Sequence, residues 1–174
     1  IDAHADLRRA FEGFDWSHAS IMHNVMERLP GVSRIVQVGL RDLCEEEQAR
    51  IEQASARIIA FFDEPMAQAR FEGRTWGSQV EEIVSALPKE VYVSFDIDGL
   101  EPALCPGTGT PVPGGLGFNE AVYLIASVAR SGRRIIGCDL VEVAPAAGGD
   151  GWDGNVGARI LYKLIGWSLR SQGG

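Results

Sequence analysis

The sequence has little cysteine, no surplus of positive charge and no long apolar run, and each lack narrows what the protein can be. Its three cysteines, Cys44, Cys105 and Cys138, are far apart and never spaced C-x-x-C. That argues against a disulfide framework or a zinc knuckle and points to reduced thiols in a cytoplasmic protein. Basic residues number 16 against 24 acidic ones, a formal charge of −8, so no nucleic acid or anionic membrane would find a matching surface. The same balance suits a small cationic partner. No apolar run approaches the roughly 18 residues of a membrane span. Internal repeats, low-complexity tracts and linkers are absent, which predicts a single domain over residues 1–174. A hydrophobic share of 45% and a charged share of 23% are ordinary for a globular chain able to build a substantial core.

What is present is an alternation of two periodicities. Residues 34–40, 57–62, 91–98 and 134–143 are β-branched and apolar on both faces, the pattern of buried parallel strands. Between them, residues 21–29, 44–56, 65–70, 78–87, 119–129 and 155–169 carry helical spacing or composition. Ser17 or Ser20 can cap the first of these helices and Asp153 the last. The Glu45-Glu46-Glu47 run reads as a solvated first turn, favourable against the helix dipole. Strand and helix in alternation predict a three-layer α-β-α fold around a mainly parallel sheet. Ile1-Asp2-Ala3-His4 opens the chain without an initiator Met and already inside a strand end. The expectation is therefore the C-terminal portion of a longer chain, with one or more N-terminal strands missing upstream.

The chemistry gathers at strand ends. Val91-Tyr92-Val93-Ser94-Phe95-Asp96-Ile97-Asp98 reads as a strand that puts Asp96 and Asp98 on one side at its carboxyl end. Taken alone, that pair fits either a capped turn or a cation site. Asp2-Ala3-His4-Ala5-Asp6 is a second cluster, with ligand types at alternate positions that suit a hard or borderline divalent cation. A parallel sheet collects its carboxyl ends on one edge, so both clusters and Glu142 are expected together there. Five ligands are too many for one tetrahedral ion and match a pair of ions about 3.5–4 Å apart, the arrangement of metal-assisted hydrolysis. Gly99 to Gly115 holds four prolines and five glycines in 17 residues, so it is a shaped loop, and without a Lys after its glycines it does not cradle phosphate. His23 reads as structural or solvated.

Three stretches resemble a known family: Asp2-Ala3-His4-Ala5-Asp6, Ser94-Phe95-Asp96-Ile97-Asp98-Gly99-Leu100 with Pro102, and Gly107-Thr108-Gly109-Thr110-Pro111-Val112-Pro113-Gly114-Gly115. They look like the signatures of the ureohydrolases, the arginase, agmatinase and formiminoglutamase family, which uses a binuclear manganese centre. The resemblance implies that Asp2 and Asp96 bridge two Mn²⁺ ions, that Asp6 binds one ion and holds the bridging hydroxide, and that His4 and Asp98 bind the other. It implies that His18 shuttles a proton to the leaving amine and that Glu142 holds the guanidinium of a small cationic guanidino substrate. Catalytic duty then falls to His18, Asp6 and Glu142. A homo-oligomer, trimer or hexamer, is implied as well. The sequence departs from the family pattern with Ala19 where Gly is usual and Glu101 where Asp is common. The family's upstream Gly-Gly-x-His-type segment, which carries its first metal ligand, does not occur in it.

After Asp6, Leu7-Arg8-Arg9-Ala10-Phe11-Glu12-Gly13-Phe14 is bulkier than the small polar loop of arginases and resembles the agmatinase branch. Release of urea from agmatine, leaving putrescine, is thus the expected reaction. Arg8 or Arg9 can still bind a carboxylate, which keeps arginine, guanidino acids and formiminoglutamate open. A catalytically inert fragment or subunit is the alternative from another class. A deacetylase on a related fold would need a His-His pair, which the sequence lacks.

Overall fold

Residues 1–149 and 151–173 are described by the computed structural model. Ten elements follow in chain order: α1 (Ile21–Arg28), β1 (Ile35–Leu40), α2 (Glu45–Gln53), β2 (Ile58–Phe62), α3 (Asp63–Phe71), α4 (Trp76–Ala86), β3 (Glu90–Asp96), α5 (Phe118–Arg130), β4 (Arg134–Val141) and α6 (Trp152–Arg170). Two short 3₁₀ turns, His18–Ser20 and Ile97–Gly99, complete the list. Among the described residues the four strands pair in parallel, β1 with β2 and β3 with β4, as the two-faced apolar runs predict.

Local chemistry explains where the helices start. Thr75 caps α4 by accepting the Ser78 amide at 3.1 Å, and Glu120 reaches back to the Gly117 amide at 2.9 Å ahead of α5. Each satisfies an amide that has no partner within its helix. Ser20 stands at the N-cap position of α1 without a side-chain cap bond; its hydroxyl pairs with that of Ser17 at 2.8 Å. Asp153 is not the cap of α6. It lies in the first turn, and Gly151, at φ +83°, holds the cap position.

Two cores cover the sheet. Val38 of β1, with Val91 and Phe95 of β3, packs against Ile83, Leu124 and Ile160 from α4, α5 and α6. On the other face of β1–β2, Leu40 and Ile58 pack against Met26 of α1 and Ile51 of α2. Leu40 reaches that second core because the ladder slips between Val38 and Leu40, at Gly39, whose φ of +97° suits a residue without Cβ. Alternation along β3–β4 is one-sided by comparison: Val91 and Phe95 are buried, whereas Tyr92 and Ile136 are 58% and 54% exposed.

The two strand pairs meet through the first residues of the chain. The Asp2 amide donates to Val38 O at 3.1 Å, while Asp96 N donates to Ile1 O at 2.9 Å and the Ile1 nitrogen to Ser94 O at 3.0 Å. Ile1–Asp2 therefore lies as a strand between β1 and β3. Gly99 lets it pass, since a Cβ there would come within 2.9 Å of Asp2 N.

Candidate metal centre

The segment that joins the strand pairs also carries the acidic cluster. Ala3 O accepts the Arg41 and Asp42 amides at 2.8 and 3.0 Å, and His4 forms a parallel bridge with Asp42. Extended backbone puts Asp2 and His4 on the same side, and the fully buried Ala3 and Ala5 anchor the opposite side. Across from them, β3 ends at Asp96, so Asp98 is not on the strand as the alternation predicts but in the 3₁₀ turn after it. Asp98 N donates to Asp96 Oδ1 at 2.9 Å, which turns the chain and swings the Asp98 carboxylate towards residues 2–4.

One ligand atom each from Asp2, His4 and Asp98 lies within 4.8 Å of the others. His4 Nδ1 is 3.0 Å from Asp98 Oδ2 and 3.6 Å from Asp2 Oδ1. The Ala3 amide donates to Asp98 Oδ1 at 3.1 Å, and the Thr110 hydroxyl donates to Asp98 Oδ2 at 3.2 Å. Asp96 is 8% exposed, and its carboxyl is pushed up to about 8 by burial and then by the charges of Asp2 and Asp98. Asp6 is likewise raised to about 8, by burial first and the Asp2 charge second. Burial also raises Asp2. Asp98 goes the other way: burial works to raise it, but the His4 hydrogen bond and the Ala3 amide bring it below the ordinary value. His4, held by Asp2 and by Asp98, is pushed up to about 10, so without metal its imidazolium is the cation among the carboxylates. A set of buried and half-buried carboxylates with one imidazole, three of them raised by desolvation and mutual repulsion, is the donor chemistry a hard divalent cation relieves. The residues fit such a group.

Asp6 and Glu142 share an unusual backbone. Both adopt the left-handed region, at φ +53° and +59°, together with Glu12 at +51°. For residues with a Cβ this costs on the order of 1–3 kcal/mol and concentrates at functional sites. At Asp6 the turn ends the extended run, so the three alternate residues do not all stay on one strand face. Glu142 follows β4; its carbonyl accepts the Thr108 hydroxyl at 3.0 Å, and its Oε2 stands 3.6 Å from the position a Cβ on Gly109 would take. The Pro/Gly-rich loop after Asp98 thus runs between the acidic cluster and Glu142. His18 begins the 3₁₀ turn ahead of α1, exposed, with its ring edge-on to Phe11 at 5.4 Å between centroids.

Several residues that hold this edge together escaped the sequence reading or were given another role in it. Arg41, at the carboxyl end of β1, donates to the carbonyls of Asp98 (2.7 Å), Leu100 (3.2 Å) and Val112 (2.8 Å), and to Pro113 O at 3.2 Å. Asp63 at the start of α3 accepts the Gly115 amide at 3.0 Å. Asp153 accepts the amides of Gly107 at 2.7 Å and Ala146 at 3.3 Å, clamping the loop to the segment after Glu142. Glu47 is buried, not solvated: it accepts the Leu7 amide at 2.9 Å and the Cys44 amide at 3.0 Å. Arg8 lies 3.6 Å from Glu47 and over the Phe11 ring, so that arginine is engaged within the chain. The available signal was position, since Arg41 and Asp63 each follow a strand directly, on the edge where the ligands gather.

The family model for the arginase family matches residues 1–166. The chain belongs to the arginase family. It is 35% identical over 173 residues to an N(1)-aminopropylagmatine ureohydrolase of Synechocystis sp., an overlap of 99% of this chain and 52% of that protein. To an agmatinase of Halalkalibacterium halodurans it is 39% identical over 147 residues, covering 84% of this chain and 46% of the relative. Among solved structures, proclavaminate amidino hydrolase from Streptomyces clavuligerus superposes with a TM-score of 0.78 at 28% identity, covering 98% of this chain and 54% of that one. The fold is thus the arginase-like α/β fold with parallel strands. The chain spans about half the length of the curated relatives it matches. Among the described residues, no helix is long and apolar enough to cross a membrane.

Proposed function

We propose that this arginase-family chain carries most of the active site of a manganese-dependent ureohydrolase that cleaves a small cationic guanidino compound and releases urea, with agmatine as the leading substrate. The observation behind the reading is the convergence of Asp2, His4 and Asp98 within 4.8 Å, with buried Asp96 alongside. Asp2, His4, Asp6, Asp96 and Asp98 would hold two Mn²⁺ ions, with His4 giving up its extra proton as it becomes a ligand. Bound there, the ions supply Lewis-acid chemistry and a nucleophile usable at neutral pH. The remaining work belongs to the chain. The Glu142 carboxylate pairs with the planar guanidinium and fixes its orientation, the bidentate geometry that makes such pairs specific. Asp6 holds a proton through the attack, and a His18 ring nitrogen delivers one to the departing amine. The loop from Gly99 to Gly115, pinned by Arg41 and Asp153, walls the substrate and limits water. The agmatinase of Halalkalibacterium halodurans supports agmatine as first choice; the Synechocystis relative's name points to a longer N-substituted agmatine.

Urea release measured on the full-length protein with Mn²⁺, over agmatine, arginine, guanidinobutyrate and formiminoglutamate (formamide for the last), tests the reading. Asp96→Asn and His4→Ala each abolish turnover if the site is right; activity retained in both overturns it. A second reading rests on the half-length coverage: a chain that keeps the fold but is inert by itself. Metal analysis of the purified chain decides between them, about two ions per chain for the enzyme and none for the inert form. A homo-oligomer, trimer or hexamer, belongs to the same proposal and is read by sedimentation.

A further inference from the structure

The loop between Asp6 and α1 is a built structure, and its parts converge on His18. Phe11 and Phe14 exchange both backbone hydrogen bonds, Phe11 N to Phe14 O at 3.0 Å and Phe14 N to Phe11 O at 2.9 Å. Between them Glu12 and Gly13 have φ of +51° and +85°. That is a two-residue hairpin with both central residues at positive φ, the twist that tight hairpins favour. At its base the Arg8 amide donates to Ala19 O at 3.1 Å. The far limb is tied as well. Buried Asn24 of α1 donates its side-chain amide to Asp15 O at 2.8 Å and to Ser20 O at 3.0 Å. Its Oδ1 accepts from Arg28 Nε at 3.1 Å, and the Arg28 guanidinium lies 4.4 Å from the centre of the Trp16 ring.

These bonds fix the backbone on both sides of His18, whose 3₁₀ turn closes with Ser20 N on Ser17 O at 3.1 Å. The imidazole itself has far less to hold it. It is exposed, and among the described residues its side chain enters no hydrogen bond or ion pair. Its ring contact is with half-buried Phe11, 5.4 Å between centroids and 71° between planes. Edge-to-face contact is a favoured arrangement of two aromatic rings and contributes beyond the area it buries. The Phe11 ring is held in turn. The Arg8 guanidinium lies 5.3 Å from its centre, and Arg8 Nε is 3.6 Å from a carboxylate oxygen of buried Glu47. Glu47 also accepts the Leu7 amide at 2.9 Å, next to Asp6, whose carbonyl accepts the Met22 and His23 amides at 3.0 and 3.1 Å. Asp6 and His18 thus stand at two ends of one braced unit.

We infer that Phe11 is a positioning residue for His18: its ring confines an otherwise free imidazole to the orientation from which a proton passes to the departing amine. The inference rests on the proton-delivery role proposed above for His18. An exposed side chain without such a contact samples all its staggered rotamers, whereas proton transfer needs heavy atoms about 2.6–3.2 Å apart. Loss of the Phe11 ring therefore lowers the fraction of molecules poised to react and leaves the grip on the guanidinium, which belongs to Glu142, in place. Leucine at position 11 removes the aromatic face; tyrosine keeps it.

Kinetics of the full-length protein with Mn²⁺ and agmatine test it, in wild type, Phe11→Leu, Phe11→Tyr, His18→Gln and the Phe11→Leu/His18→Gln double variant. Phe11→Leu should lower kcat about tenfold with KM changed less than about twofold, and Phe11→Tyr should keep most of the rate. Added to His18→Gln, Phe11→Leu should cost nothing further, because residues that act as a unit are not additive. Nuclear magnetic resonance of the metal-free, histidine-labelled protein gives a readout that does not depend on turnover. The ring resonances that vanish in His18→Gln should move in Phe11→Leu and stay near their wild-type positions in Phe11→Tyr, while those of His23 hold still. Phe11→Leu with kcat and the His18 resonances both unchanged overturns the inference. So does an equal rate loss with and without His18, the mark of a merely structural role. His18→Gln that turns over like wild type overturns instead the role proposed for His18, and the resonances then decide the contact with Phe11 by themselves.

Discussion

The gap between β1 and β3 has two ends built on opposite principles. At the carboxyl end, Ile1–Asp2 fills it, and the side chains there are half-buried Asp2 and His4 with buried Asp96 and Asp98, at the cost of raised carboxyl pKa values at Asp96 and Asp6 and left-handed backbone at Asp6. In its body the gap is lined mostly by valine, leucine and isoleucine, with Arg34, Gln37, Glu90 and Asp139 among them. The contrast shows where a parallel sheet places chemistry. The ladder supplies rigidity, and the Asp98 carboxylate meets His4 only where the chain has left β3 and a turn holds it.

Substitutions can break that division of labour. The largest expected effect lies in the core: Phe95→Ala, at a fully buried position on β3, should cost about 3–5 kcal/mol of stability in urea unfolding and leave substrate preference unchanged in whatever stays folded. Arg41→Ala at the edge should cost about 1–3 kcal/mol, since the carbonyls of Asp98, Leu100 and Val112 lose a half-buried donor. Its clearer mark should be a raised KM for the full-length enzyme as the loop loosens. Arg41→Lys should recover only part of this, because an ammonium cannot fork across several carbonyls. Equal effects of the two substitutions on stability and on KM would erase the contrast.

The pH response sharpens it further. Asp6 and Asp96 have folded pKa values of about 8, above the ordinary carboxyl value, so between about pH 4 and 8 the folded chain binds more protons than the unfolded one and loses stability as pH rises. His4, at about 10 when folded, stabilises fully below its ordinary value of 6.5, and this contribution disappears as pH climbs through 10. Both act in the same sense. The unfolding midpoint in a chelator should therefore fall steadily from pH 5 to pH 9, and Mn²⁺ should reverse the slope, because deprotonated ligands bind it. The smallest effect concerns Cys105, 2% exposed, whose thiol is pushed up to about 12 by burial and the charges of Asp153 and Asp96. Iodoacetamide at pH 8 should label Cys44 and Cys138 well before it, as peptide mapping would show.

Much of the fold was legible because its signals are local. The apolar runs that became β1, β2 and β3 and the helical spacing of α4 and α5 sit within a residue or two of the expected bounds. Asp2, His4 and Asp98 were legible as a group because strand ends in a parallel sheet share one edge. The reading went astray where a distant partner overruled local habit. Glu47 sits in an acidic run that looks solvated, yet the Leu7 amide, 40 residues away, draws it inside. Asp153 has the composition of a cap but serves Gly107, 46 residues off.

By itself, the sequence determined the element types, their parallel order and the chemical kinds of candidate ligand, since each follows from periodicity and side-chain chemistry over a few residues. Only the tertiary structure decided that Asp98 leaves its strand to meet His4, that Asp6 turns out of the extended run, and that Arg41 gathers carbonyls from a loop more than 50 residues further on. Those outcomes depend on backbone turns and on contacts between segments far apart in the chain, which local pattern does not encode.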